Sequence, residues 1–220
     1  EIITSPWTMC ATATSILHWN AIPVFADIDQ KSFCLSAESI KKCLSKRTKA
    51  ILAVDIFGQS CDYEAIKKVV PDNIKIISDT AQAPGSLRNK KYSGTLGDIG
   101  GFSFNYHKHI HTGEGGLIVT SDANLAERCR LIRNHAEAVI ATRPKASLSN
   151  MIGYNFRMGE IEAAIASCQL KKLENIVHKR QKIAEQITNI LIETKGVSTP
   201  FVSPNNTHAY YMYPFILDKG

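Results

Sequence analysis

The chain has 220 residues, 44% of them hydrophobic and 21% charged, with a net charge of +6. That is enough for one substantial core, or for one domain plus part of a second, and it excludes a disordered chain. The modest positive charge suits an anionic small ligand. With no Lys/Arg block and no aromatic–basic interleaving, nucleic acid is not an expected partner.

EIITS reads as a short strand and TMCATATSILHWN as a helix with Thr8 as its cap. IPVFADI is a strand, and SAESIKKCLS is a helix opened by Ser36. KAILAVDIFG is a long apolar strand of the sort buried on both faces. DYEAIKKVV is a short amphipathic helix stopped by Pro71, and IKIISDTAQ is a strand with a polar end. GGFSFNY and GGLIVTS make two more strands. Strands alternating with helices predict an α/β fold with a mostly parallel sheet, flanked by helices and joined by right-handed crossovers.

From Ala123 the texture changes. ANLAERCRLIRNHAEAV reads as helical, and residues 159–196 read as one long helix or two joined ones, with Gly196 as the stop. A helix of that length bridges domains. The expected division is a large domain over residues 1–175, then the linking helix and the start of a small C-terminal α/β domain over 176–220. The chain opens without a methionine inside one strand-like run and closes after another, so it reads as an internal piece of a longer protein. Its six cysteines are scattered, with no C-x-x-C pair. Neither a structural zinc site nor a disulfide framework is expected, and reduced thiols in a cytoplasmic protein are. No run is long enough to span a membrane, and no signal peptide is visible.

In open α/β sheets the chemistry sits at the carboxyl ends of strands. Two such ends stand out, SDTAQAPG and SFNYHKH. His107, His109 and His111 alternate, so an extended backbone would align them as metal ligands; Lys108 among them would repel a cation. A solvated basic loop and a reactive amine are the other readings. GTLGDIGG superficially suggests a dinucleotide fingerprint, but a strand follows it instead of a helix, so a turn is expected. Asp79 alone reads as a cap or turn residue. Beside Lys108 it takes a second meaning: a pyridoxal phosphate enzyme needs a lysine to bond the cofactor and a carboxylate to keep its pyridine nitrogen protonated.

Taken in order, TSPWTMCATATSI, IPVFADID, LSKRTKAILAVDIFGQSCDYEAI, SDTAQAPGS, GDIGGFSFNYHKHIHTGEGGLIVTSD, RLIRNHAE, GYNFRMGEIEAAIASCQLKKLE and HAYYMYPF resemble the DegT/DnrJ/StrS sugar aminotransferase family of fold-type I pyridoxal phosphate enzymes. The resemblance covers nearly the whole chain. It implies that Lys108 is the Schiff-base lysine; a branch that performs dehydration carries histidine there. It implies that Asp79 pairs with the pyridine nitrogen, Gln82 hydrogen-bonds the ring hydroxyl and Ser103 binds the phosphate. It also implies that Asn155 reaches the phosphate from the neighbouring subunit of a homodimer. Met9 stands where many members stack an aromatic residue on the ring, with Trp7 close by. The implied reaction moves an amino group from an amino acid, glutamate in the usual case, to a keto sugar. A nucleotide-linked 4-keto-6-deoxyhexose is the usual acceptor, in surface polysaccharide or aminosugar biosynthesis. A keto sugar acid as acceptor and a non-catalytic homologue that binds cofactor or sugar nucleotide are the alternatives.

Overall fold

The computed structural model describes residues 1–136 and 151–218. Its elements run β1 (Ile2–Thr4), α1 (Cys10–His18), β2 (Pro23–Phe25), α2 (Ala37–Cys43), β3 (Ala50–Val54), α3 (Tyr63–Val69) and β4 (Lys75–Asp79). A small hairpin follows, β5 (Leu87–Arg88) and β6 (Lys91–Tyr92), then β7 (Ile99–Ser103) and β8 (Gly116–Val119). The remainder is α4 (Ala123–Arg133), α5 (Glu160–Leu170), α6 (Leu173–Leu191), β9 (Val197–Ser198) and β10 (Ile216–Leu217).

Six strands form one sheet in the order β2-β1-β3-β4-β7-β8. All pairs are parallel except β7 with β8. The mostly parallel α/β sheet expected from the sequence is therefore what the chain adopts. Every residue of β3 is buried, as its unbroken apolar sequence requires of a central strand. Ile3, Ile51, Ile40 and Ile66 pack into one fully buried cluster between sheet and helices, each contributing roughly 1.5–3 kcal/mol. The Ser36 side chain accepts the Ser39 N–H at 3.3 Å and caps α2, as expected. Asp62 accepts the Ala65 N–H at 2.9 Å and caps α3.

Two local readings change, one hairpin is added, and the long C-terminal helical run takes the second of its two expected forms. Met9, not Thr8, is the N-cap of α1, without a side-chain cap. The Thr8 hydroxyl instead pairs with that of Thr12 at 2.8 Å. Residues 85–94 carry a hairpin with no glycine at its turn: Asn89 and Lys90 take the positive φ themselves, at 48° and 66°, so the usual Asn-Gly signal is absent. The helix expected over 123–139 stops at Arg133, because His135 and Ala136 sit at φ 57° and 59°, which no right-handed helix accommodates. Its last three residues lie outside the described ones. The long 159–196 run resolves into α5 and α6, joined through Lys171 and Lys172, and ends before Gly196.

After α6 the chain turns back onto the large sheet. Thr207 N–H donates to Leu87 O at 2.8 Å, Ala209 N–H to Gly58 O at 2.7 Å and Met212 N–H to Phe57 O at 3.2 Å. This return strap, residues 207–213, is the part of the C-terminal region that reaches the strand ends. No helix among the described residues is long and apolar enough to cross a membrane.

Candidate active site

Asp79 is the last residue of β4 and stands opposite Val54 of β3 and Gly101 of β7. Three parallel strands therefore finish side by side, and the loops after them converge. Lys108 lies in the loop after β7, half-buried. Burial pushes its amine below the usual lysine range, and the Asp79 carboxylate pulls it back up. The two residues expected to share one site are thus close enough for one charge to act on the other.

The Asp79 carboxylate is oriented from both sides. Its Oδ2 accepts the Thr12 hydroxyl at 2.8 Å, and its Oδ1 accepts the Ala81 N–H at 3.2 Å. The first bond ties the carboxylate to the opening turns of α1. Gln82 Oε1 accepts the Phe57 N–H at 2.7 Å. That fixes the amide's orientation and leaves its NH2, which has no partner among the described residues, as the free donor. Phe57 can offer its N–H because it takes the left-handed conformation, at φ 59°. Ser103 ends β7 and accepts the Asn105 N–H at 3.2 Å, which leaves its own hydroxyl proton to donate. Met9 is exposed at the head of α1, and Trp7 beside it packs edge-on against Phe57 at 6.4 Å.

Asn155 does not join this group. It is exposed and bridges Asn134. Its neighbour Tyr154 packs on His18, 5.5 Å away at the tail of α1; Met9 and Thr12 are at the head.

The three histidines part company because the backbone after Phe104 turns instead of running extended. His107 is exposed and packs at a tilt against Tyr106, 3.8 Å between centroids. His111 is exposed. His109 is buried, and its Nε2–H donates to Ala209 O at 2.8 Å. Burial pushes His109 down to about 4, so it is neutral near pH 7. No cluster of three His, Cys, Asp or Glu side chains able to hold a metal occurs among the described residues.

Sequence reasoning missed three contributors. Thr12 looks like any residue of a helix. Tyr211, on the return strap, lays its ring 4.7 Å from Lys108 Nζ. Asp55, fully buried behind Asp79, accepts the Cys61 N–H at 2.8 Å, the Tyr63 hydroxyl at 3.0 Å and the Thr80 hydroxyl at 2.8 Å. Its own N–H donates to Asp79 O at 2.9 Å. Burial pushes Asp55 up to about 7 against those three donors, and the Asp79 charge adds to the rise. The HAYYMYPF run was visible in the sequence as a strand-like segment; nothing in it signalled where it would land.

The donor set fits pyridoxal phosphate. A primary amine suits its aldehyde, a fixed carboxylate suits a protonated pyridine nitrogen, and an amide NH2 suits the ring hydroxyl oxygen. Ser103 offers a hydroxyl to a phosphate.

A family model, the DegT/DnrJ/EryC1/StrS aminotransferase family, matches residues 1–220. The chain is 33% identical to a GDP-perosamine synthase of Vibrio cholerae over 222 residues, which cover 100% of this chain and 59% of that one. It is likewise 33% identical to the spore coat polysaccharide biosynthesis protein SpsC of Bacillus subtilis, covering 100% of this chain and 58% of that one. Among solved structures, Helicobacter pylori PseC, an aminotransferase involved in the biosynthesis of pseudoaminic acid, matches with a TM-score of 0.87 and 30% identity. That match covers 99% of this chain and 58% of that one. The chain thus spans just under three fifths of the length of these relatives.

Proposed function

The chain belongs to the DegT/DnrJ/EryC1/StrS aminotransferase family, and from that premise we propose that the protein moves an amino group from an amino acid to a nucleotide-linked keto sugar. Glutamate is the proposed donor. The proposed product enters a surface polysaccharide or an aminosugar, as the names of the perosamine, spore coat and pseudoaminic acid relatives suggest. The observation that carries the reading is Lys108, half-buried and within reach of the Asp79 charge, at the end of a parallel sheet.

Bound at this site, pyridoxal phosphate would supply an electron sink that lets a proton leave the carbon bearing the amino group. The protein's residues do the rest. Lys108 Nζ takes a proton from the donor carbon and delivers one to the acceptor, as general base and acid. As base it must be neutral, since an ammonium has no lone pair, and its burial favours that form; the proton it takes makes it the ammonium that then serves as acid. Asp79 holds the positive charge of the ring nitrogen, and Thr12 keeps the carboxylate aimed. Gln82 donates its amide N–H toward the ring hydroxyl. Ser103 anchors the phosphate. Met9, exposed at the head of α1, is proposed to cover the ring, its polarizable thioether replacing an aromatic face.

The site is proposed to lie between two copies of the chain, in a cytoplasmic homodimer. Asn155 lies beside Tyr154, which packs on His18 and Trp19 at the tail of α1. Trp19, Ile152 and Phe156, nearby in the chain or in contact with Tyr154, are exposed apolar side chains. Such a surface is what a second copy would cover. A large domain over 1–175 carries the site, and the region over 176–220 starts a second, smaller one that reaches back by its strap.

Borohydride reduction of the full-length protein made with pyridoxal phosphate, followed by peptide mass spectrometry, tests the reading. A pyridoxyl group on Lys108 is expected. A folded protein with no adduct, or with the adduct on another lysine, would overturn it.

A further inference from the structure

The Lys108 side chain ends in an unusual setting. Among the described residues its Nζ has no hydrogen bond and no ion pair. What it has is the ring of Tyr211, 4.7 Å away. The Tyr211 hydroxyl likewise has no hydrogen-bond partner among the described residues, so the ring face, not the O–H, meets the site. The backbone around Tyr211 is fixed independently of its side chain. Ala209 N–H donates to Gly58 O, Met212 N–H donates to Phe57 O, His109 Nε2–H donates to Ala209 O, and Arg180 Nη1–H donates to Tyr210 O at 3.0 Å. His109 follows Lys108 directly, so this bond ties the lysine's own loop to the strap that carries the ring.

We propose that Tyr211 is a positioning residue for Lys108: its ring face is where the amine rests whenever Nζ holds no other bond, beside Asp79 and out of bulk water. The proposal rests on Lys108 being the reacting amine. An aromatic face attracts the ammonium electrostatically and offers a neutral amine no comparable hold. The ring therefore keeps the charged form parked and lets the neutral, reactive form go. A four-carbon side chain without such a contact would swing freely into solvent. Among the described residues, the charge that shifts the Lys108 amine is that of Asp79. Asp79 at the end of β4 favours the ammonium; His109, neutral at working pH, lies next in the chain; Arg180 of α6 acts on His109.

The test is a titration of one amine. The full-length protein, without added cofactor, is pulsed briefly with acetic anhydride across a pH series, and acetylation of Lys108 is quantified by mass spectrometry. The midpoint reports the amine's pKa. Tyr211→Phe is expected to leave the midpoint within about 0.3 unit and Tyr211→Trp to raise it. Tyr211→Leu is expected to lower it by roughly 0.4 to 1.5 units, the range of a cation–π contact. Equal midpoints for Phe and Leu would overturn the proposal, and so would a Phe variant that titrates below wild type as Leu does. If the Leu variant does not fold, the Trp–Phe pair decides, and equal midpoints there overturn it as well. Failure of the aminotransferase reading would show separately, as a missing borohydride adduct on a protein whose Lys108 midpoints still follow the ring.

Discussion

Asp55 shows how much of the candidate site depends on a side chain buried behind it. A fully buried carboxyl with three donors aimed at it holds the end of β3 against the start of the Asp79 loop. Burial pushes it up to about 7, above its value in an unfolded chain, so the folded state keeps a proton that the unfolded state has released. Its stabilising contribution is complete below the unfolded value, near pH 4, and is lost as pH rises towards 7. Between pH 5 and 7 the full-length wild type should lose stability relative to Asp55→Asn, by roughly 1 kcal/mol per pH unit and less steeply towards pH 7. Urea unfolding of both proteins at pH 5, 6 and 7 measures this; parallel slopes would remove Asp55 from the account. Legibility at this scale followed chemistry. Lys108 stood out as an amine framed by histidines after an apolar strand, whereas Asp79 alone read as a cap or turn residue and took its meaning only beside Lys108. Thr12 did not stand out, since its partner is 67 positions away and a threonine in a short helix carries no mark of its distant acceptor.

At the scale of elements, the turn between β3 and α3 joins the two halves of the site. Phe57 gives its N–H to Gln82 and its carbonyl to Met212, and Gly58 gives its carbonyl to Ala209. Gly58 sits at φ 114°, and a Cβ there would lie 2.6 Å from the Tyr210 nitrogen. Gly58→Ala is therefore expected to unseat the strap while leaving the sheet intact. Hydrogen exchange of the Ala209 and Met212 amides should quicken at least tenfold, a loss of about 1.4 kcal/mol or more of local protection, while exchange in β3 and β4 stays the same. Unchanged exchange at both amides would mean the strap does not depend on this turn. Most elements were legible, because burial on two faces forces continuous apolar strands, Ser36 marks the start of α2 and Pro71 the stop after α3. The hairpin of β5 and β6 was not, its turn being built by Asn89 and Lys90 without glycine, and neither was the end of α4, which two left-handed residues impose.

For the whole molecule, the separation of Asn155 from Lys108 makes a prediction about assembly. Full-length Lys108→Ala and Asn155→Ala proteins should each be inactive or nearly so. Mixed under conditions that exchange subunits, they should form hybrids in which one site receives both defects and the other receives none. Random pairing makes half the dimers hybrid, so roughly a quarter of wild-type activity should return. No recovery after verified exchange would place Asn155 and Lys108 in the same chain's site, or remove Asn155 from it. The sequence showed the parallel sheet and the pair at its edge. It did not show the strap, because contacts between His109 and Ala209, 100 positions apart, leave no local pattern.

That separation also sets a schedule. A ribosome adding about 5–20 residues per second needs roughly five to twenty seconds to travel from His109 to Ala209. Through that interval β3, β4 and β7 can already pair, while the His109 ring N–H and the Gly58 carbonyl wait for a segment not yet made. The growing chain thus displays its lysine before the aromatic cover exists. The strap is nearly the last of these 220 residues to be synthesised, so a nascent polypeptide stalled short of it would carry the amine without the ring proposed to restrain it.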